Sequence, residues 1–406
     1  MERYTFDDPA GLLKERMQLM NDTVRGDKKP KRIPICSQSR AFPLLDAGYS
    51  LLEAFCDYDK TYDAMARFQE LYNYDFYTDY SRFSYLVTEA LGGGGMVVDD
   101  EKGTINYVDE LLLLDGEYDD LIEMGMDRFF FERVLPRKYS LGKGKTTEEA
   151  LAMINKAMEE QHKLDAANAK MVKNFKEKYG LGKTTNASPC FYKTPVDVIE
   201  CNLRGLKKFA LDMRKLPKEK LLKALEVCDN GQLDAVLKKL ENVDRTADDI
   251  SFHAATTSTT SWQLSAKQYE MLDWPYISKL FDKVVETDSL CLIFPEGGFK
   301  HLIDFYRDLP KGHFAIIAET DDMETLKYLK KELPNVALLG GMPSYYLGHM
   351  SKEVCIDKAK EVVDELGYDG RLIFSTDKML STKSDANGEN LRAVNDFVRE
   401  YGRFDK

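Results

Sequence analysis

From about residue 195 onward, short apolar runs alternate with amphipathic ones, and this alternation constrains the fold more than any other feature. The apolar runs are Ile250-Ser251-Phe252, Leu290 to Phe294, Phe314 to Ala318, Val336 to Leu339 and Leu372 to Phe374. Between them, residues 265–286, 299–308, 323–332 and 352–366 carry helical spacing. Short apolar strands alternating with helices predict a parallel sheet covered by helices, in an α/β fold. A sheet closed as a (β/α)8 barrel fits the length, and so does an open doubly wound sheet. Periodicity alone does not separate the two.

The earlier part of the chain is less regular. A helix is expected from about Pro9 to Thr23, a buried strand at Ile33-Pro34-Ile35-Cys36, and a helix at Tyr58 to Tyr72. Asp75-Phe76-Tyr77 is a second strand candidate. Gly92-Gly93-Gly94-Gly95 must be a loop, because glycine runs cannot hold a regular element. It lacks the Lys-Ser/Thr of a P-loop and the GxGxxG spacing, so we read it as a turn into Met96-Val97-Val98. Residues 146–179 form the clearest helix: Thr146 and Glu149 fit a capping box, and Gly180 suits the end. Leu151, Ile154, Met158, Met171, Val172 and Phe175 recur there at helical spacing. At 1.5 Å per residue such a helix reaches roughly 50 Å. It is expected to project, or to belong to a long-helix insertion over 140–190 within a single domain spanning 1–406.

Composition narrows the function. Lys plus Arg is 57 and Asp plus Glu is 69, a net charge of −12. That disfavours a nucleic-acid binder, which needs clustered cations. No apolar run is long enough for a transmembrane helix, and the N-terminus has no apolar signal region, so no membrane partner is expected. Seven scattered cysteines without a CxxC argue for a reducing cytoplasm.

Active sites in such folds lie at the carboxyl ends of strands. The residues there are Ser37 to Arg40, Thr78 to Arg82, His253, Pro295 to Gly298, Glu319 to Asp322, Gly340 to Pro343, and Ser375 to Asp377. The collection is acidic. Converging carboxylates with an imidazole can hold a divalent ion such as zinc. They can equally do acid–base work once their pKa values are pushed apart. Asp or Thr after a strand also caps the next helix, which is the alternative for Asp321, Asp322 and Asp377. Glu296 is a poorer cap, and the glycines after it allow a ligand close to the backbone. Taken alone, His253 is as readily a satisfied polar side chain as a ligand.

Several stretches together resemble the uroporphyrinogen decarboxylase superfamily. Val198 to Pro217, with Arg204-Gly205, Asp212 and Pro217, resembles its RG…D…P signature. Thr88-Glu89-Ala90-Leu91-Gly92 resembles the segment before its third strand, and Trp274-Pro275-Tyr276 its "PY" helix. Residues 388–402, with Glu389-Asn390-Leu391, are similar to its C-terminal helix. The matches run in order from about residue 20 to the end. The resemblance implies a single (β/α)8 TIM barrel, here with an N-terminal helical extension and the long-helix insertion, and a site in the carboxyl-end mouth.

The superfamily holds decarboxylases and corrinoid-linked methyltransferases. The decarboxylases carry an arginine-rich motif after the first strand, where this chain has Ser37-Gln38-Ser39-Arg40-Ala41-Phe42. Asp79 falls where they keep a catalytic Asp, so a cofactor-independent decarboxylase using Asp79 and Arg40 is the alternative. The thiol-alkylating methyltransferases hold zinc with His-x-Cys, where this chain reads Phe294-Pro295-Glu296. A third branch, from anaerobes, moves methyl groups from methoxylated aromatics to a corrinoid protein, and this chain is similar to it in length and acidic site residues. The expected function is therefore O-demethylation of a small methylated substrate. No D-x-H-x-x-G motif is present, so the corrinoid is expected on a partner protein. Glu296, Glu319, Asp321 and Asp79 are the expected catalytic residues. Arg40, Arg82, Tyr77, Tyr80, Phe83, His253, Trp262, Tyr345 and Asp377 are the expected substrate contacts. Glu296, Glu319 and His349 are the expected ligands of a zinc ion.

Overall fold

Helix α1 (Pro9–Arg25) starts where Asp8 caps it, its carboxylate accepting the Gly11 N–H, and stops at Gly26 in the left-handed conformation. The computed structural model describes residues 1–405 except 81, 140, 142, 143, 186 and 187. Part of the expected 140–190 insertion, and Ser81 at the second strand end, therefore lie outside the described residues.

The strands are β1 (Cys36–Ser37), β2 (Phe76–Tyr77), β3 (Met96–Asp99), β4 (Thr104–Tyr107), β5 (Cys190–Lys193), β6 (Ala254–Ser258), β7 (Cys291–Pro295), β8 (Phe314–Ala318), β9 (Ala337–Met342) and β10 (Leu372–Thr376). β5 to β10 form a six-stranded sheet in chain order with every neighbouring pair parallel. β1 pairs with β2, also parallel, and a parallel bridge from Ile35 to Phe374 sets β1 beside β10. Among the described residues, no ladder joins β2 to β5.

Across β7 to β10 both faces of this sheet are covered, which is why those strands read as apolar runs. Leu292, Ala315, Ile317, Ala337, Leu339 and Ile373 form one cluster with Cys36 and Phe76. Their alternate neighbours, such as Ile293, Ile316, Leu338 and Phe374, join the larger core under the helices. Met20 and Val24 of α1 enter the first cluster. Arg25 reaches Asp288 and Gly312, which precede β7 and β8, so α1 lies across the amino ends of those strands.

Four expectations need correction. Ile250-Ser251-Phe252 is not a strand; the strand begins at Ala254. Its Ala-Ala-Thr-Thr-Ser sequence is small and partly polar, so hydrophobicity does not reveal it. His253 therefore precedes β6 rather than following it. Helix 265–286 is two helices, Ala266–Leu272 and Trp274–Glu286, because Pro275 lacks a donor and cannot continue the first. The long helix Thr147–Tyr179 has its expected capping box and Gly180 stop. It does not project as a whole: Leu164, Met171, Phe175 and Tyr179 are buried, and Arg16 of α1 donates to the Tyr179 and Gly180 carbonyls. Its first half exposes Leu151 and Met158.

β9 runs on through Gly340 and Gly341. Gly341 has φ +109°, and a Cβ there would lie 2.7 Å from Val362 Cγ1. Gly341→Ala is expected to cost about 1–3 kcal/mol, read as a lower urea midpoint at unchanged slope.

One buried ionic knot ties the first strands to α1. Arg32 donates twice to Asp75, at 2.6 and 2.8 Å, and the Ile35 N–H donates to the same carboxylate at 2.9 Å. Arg16 Nε lies 3.5 Å from Asp75 Oδ1. Burial alone would raise the Asp75 pKa, but the Arg32 charge and hydrogen bonds outweigh it and hold the carboxyl well below its usual range.

Candidate active site

The carboxyl ends of β5 to β8 and β10 lead into a row of acids. β5 ends at Lys193, and Thr194 caps the short helix Pro195–Ile199. That helix runs on into a wider turn at Glu200–Arg204. Arg204 is spent on structure: it donates to Asp212 and to the Leu113 carbonyl. The Arg and Asp of the signature stretch are thus a scaffold pair, and Asp197 and Glu200 are the groups that stretch brings to the site.

Asp197 is fully buried. Its carboxylate accepts from the Thr259 N–H at 2.9 Å, the Thr260 N–H at 3.1 Å and Thr260 Oγ1 at 3.0 Å, which fastens the loop after β6. Asp273, also buried, accepts from Ser258 Oγ at 2.5 Å. Burial, then the Asp197 charge, pushes the Asp273 carboxyl up to about 7.

Glu200 is 6% exposed. Its Oε1 accepts from Gln263 Nε2 at 2.7 Å; its Oε2 is buried and, among the described residues, without a partner. Burial, then the charges of Asp197, Asp109 and Glu296, push this carboxyl up to about 7. Glu296, just past β7, is exposed at its rim, yet its carboxyl is raised by lost hydration and by Asp197, with Arg40 and Lys193 opposing. Glu319, past β8, accepts the Gly297 N–H at 3.0 Å and is raised by burial and by Glu296 and Asp377. Asp377, past β10, accepts the Ser344 N–H at 2.8 Å. The charges therefore couple from Asp273 across to Asp377. Glu200 and Asp273, each pushed up to about 7, hold a proton part of the time at neutral pH, so either can act as an acid.

The other expected residues divide. Arg40 is exposed, donates to the Tyr107 hydroxyl, and lies over the Phe83 and Tyr107 rings at 5.6 and 5.3 Å. Tyr107 belongs to the β3–β4 hairpin, so that hairpin reaches the Arg40 side of the site. Asp79 accepts the Tyr80 N–H and lies 3.2 Å from Arg82 Nε. Trp262 is 50% exposed and packs on Gly297, so the glycine expected to admit a ligand admits an indole. Asp321 is exposed, and Asp322 caps the helix Met323–Glu332.

Some expectations are corrected. Tyr77 and Tyr80 are core: the Tyr77 hydroxyl donates to Gln69, and Tyr80 packs edge-on against Phe175 at 4.9 Å. His253 sits at the opposite end of the sheet, its Nδ1 accepting the Leu290 N–H. His349 is exposed beside Tyr345, with ring centroids 5.0 Å apart. Glu296, Glu319 and His349 do not assemble into a ligand set: among the described residues, no group of three or more His, Cys, Asp or Glu side chains is placed to hold a metal ion.

Asp197, Glu200 and Asp273 are not among the residues expected from the sequence. For Asp197 and Glu200 the available signal is an acid inside an apolar run, Val196-Asp197-Val198-Ile199-Glu200. The strand that would place these acids at a strand end, β5, is only four residues long and leaves little mark in the sequence.

The comparisons with known proteins agree with this architecture. Residues 244–401 match the family model of uroporphyrinogen decarboxylase (URO-D). That stretch of the chain is therefore similar to uroporphyrinogen decarboxylase. The URO-D segment spans β6 to β10 and carries Asp273, Glu296, Glu319 and Asp377; Asp197 and Glu200 precede it. Among solved structures, a methyltransferase from Methanosarcina mazei shares the fold, with TM-score 0.56 and 14% identity over 96% of this chain and 98% of that one. No curated protein matches in sequence. No described helix is long and apolar enough to cross a membrane.

Proposed function

We propose that this chain is a URO-D superfamily methyltransferase that demethylates a methoxylated aromatic, with the Co(I) corrinoid of a partner protein as acceptor. The observation that carries the reading is Glu200: a buried acid with one oxygen unpartnered among the described residues, coupled to Glu296 at the strand ends. Phenolate is a poor leaving group, so ether cleavage needs the oxygen protonated as the C–O bond breaks. The corrinoid supplies the nucleophile when docked. Glu200 donates its proton from Oε2 to the ether oxygen, which keeps the C–O electron pair and leaves as a phenol. Glu296 and Asp197 maintain the negative field that keeps that proton in place beforehand. Arg40, held between Phe83 and Tyr107, orients an anionic ring substituent. The methyltransferase fold of the Methanosarcina mazei protein supports the reading.

Within it, the chain is read as a (β/α)8 barrel forming one domain, a reading that the strand order from β2 through β1 and β10 to β5 supports. Seven free cysteines suit a reducing cytoplasm, and a Co(I) acceptor suits an anaerobe. No step is routed through zinc, since Glu296, Glu319 and His349 do not come together.

The test is an assay of methoxybenzoates with reduced corrinoid protein. Demethylation should proceed below about pH 7 and fall above it, as Glu200 loses its proton. Activity should also survive chelation; a loss restored by zinc would move Glu296 and Glu319 to metal ligands. Carbon dioxide release from an aromatic acid, with no demethylation, would replace this reading with the decarboxylase.

A further inference from the structure

A cavity of about 650 Å³ lies at the amino ends of the strands, across the sheet from the acids. It opens between α1 and the 245–253 segment, with Leu13, Met17 and Ile250 among its apolar walls. Five charged side chains line it: Lys14, Arg25, Arg245, Asp248 and Asp288. Three of them are already paired. Asp288 is bound by Arg25, and Asp248 is bound by Lys176 at 2.8 Å. Among the described residues, no carboxylate pairs with Lys14 or Arg245. The Arg245 guanidinium is positioned by neutral oxygens: the Leu240 carbonyl, the Val243 carbonyl at 3.0 Å and Ser289 Oγ at 3.1 Å.

The third feature is His253, 6% exposed and lining the same cavity. Its Nδ1 accepts the Leu290 N–H at 2.9 Å, so its ring proton sits on Nε2. Burial, then the charges of Arg245 and Arg25, lower its pKa to about 4, so the ring stays neutral. Among the described residues, Nε2–H has no hydrogen-bond partner. A cavity with mixed apolar and charged walls, one imidazole N–H facing it without a partner among the described residues, and two cations without a carboxylate partner is complementary to an anion. On a chain of net charge −12, such a place is not a product of general composition.

We propose that this cavity is a second binding site, for a small organic anion whose carboxylate or phosphate meets His253 Nε2–H, Lys14 and Arg245 while its body fills the apolar walls. The reaction uses none of these residues. The site lies on α1, whose Met20 and Val24 pack into the inner cluster, so occupancy braces the sheet from its amino end.

Calorimetric titration tests it, with sodium benzoate and inorganic phosphate as probes at constant ionic strength. One saturable site per chain is expected for at least one probe, and which probe binds identifies the acid group. Lys14→Glu, at an exposed position, should fold normally and weaken that site about tenfold or more, as should Arg245→Gln. Arg40→Ala, at the other end of the sheet, should leave it unchanged. Saturation by neither probe overturns the proposal. So does binding that Arg40→Ala removes and Lys14→Glu spares, which would place benzoate in the mouth instead.

Discussion

Glu200→Gln is expected to lower kcat for demethylation by about 10²–10⁴-fold while leaving KM nearly unchanged. Gln keeps the shape and the Gln263 contact but has no acidic proton to give. The pH profile separates this from a structural role. The wild type should lose rate as pH rises through about 7, the value to which burial and neighbouring acids push this carboxyl. The variant's residual rate should be flat there. Stability should move the other way. A carboxyl whose folded pKa exceeds its unfolded value binds more protons in the native state, so native stability falls with pH between the two. Removing the acid should therefore leave the protein at least as stable at pH 8. A variant that loses activity together with its thermal midpoint would refute the acid assignment.

The second large effect concerns the ionic knot. Asp75→Ala should destabilise the native state by about 3–5 kcal/mol, since Arg32 and Arg16 would remain buried without their counter-ion. Its pH signature is opposite to that of Glu200. The folded pKa of Asp75 lies below the unfolded one, so its contribution is complete above the unfolded value of about 3.9 and is lost as pH falls below it. Urea unfolding at pH 7 and near pH 3 should show wild type and variant converging on acidification. An unchanged urea midpoint at pH 7 would show that the knot carries no net stability.

Much of this architecture is legible in sequence because the buried sheet leaves strong marks. The β7, β8 and β10 runs appear as apolar stretches, since both of their faces are covered. The helices Met323–Glu332 and Lys352–Leu366 start and stop as their spacing predicts. The Thr146 and Gly180 caps delimit the long helix, because capping chemistry is local. β5 and β6 are hidden for physical reasons: β6 is Ala-Ala-Thr-Thr-Ser and owes its place to β5 and β7 rather than to its own hydrophobicity, and β5 is only four residues, Cys-Phe-Tyr-Lys, ending in a charge. Losing those two strands misplaced His253 and concealed Asp197 and Glu200. Tyr77 and Tyr80 show the converse error. An aromatic near a strand end can face the mouth or the helices, and only packing against Gln69 and Phe175 decides.

The bridge from Ile35 to Phe374 also has a kinetic side. Every neighbouring pair from β5 to β10 joins segments that follow one another along the chain, so that sheet can zip up progressively. β1 cannot take its place until residue 374 has left the ribosome and the intervening chain has been organised. Closing so long a loop costs entropy before any contact rewards it, which slows folding. The N-terminal segment should thus be the last to gain protection against hydrogen exchange during refolding. Until then β10 presents an open edge, and that interval is when the nascent protein is most exposed to aggregation.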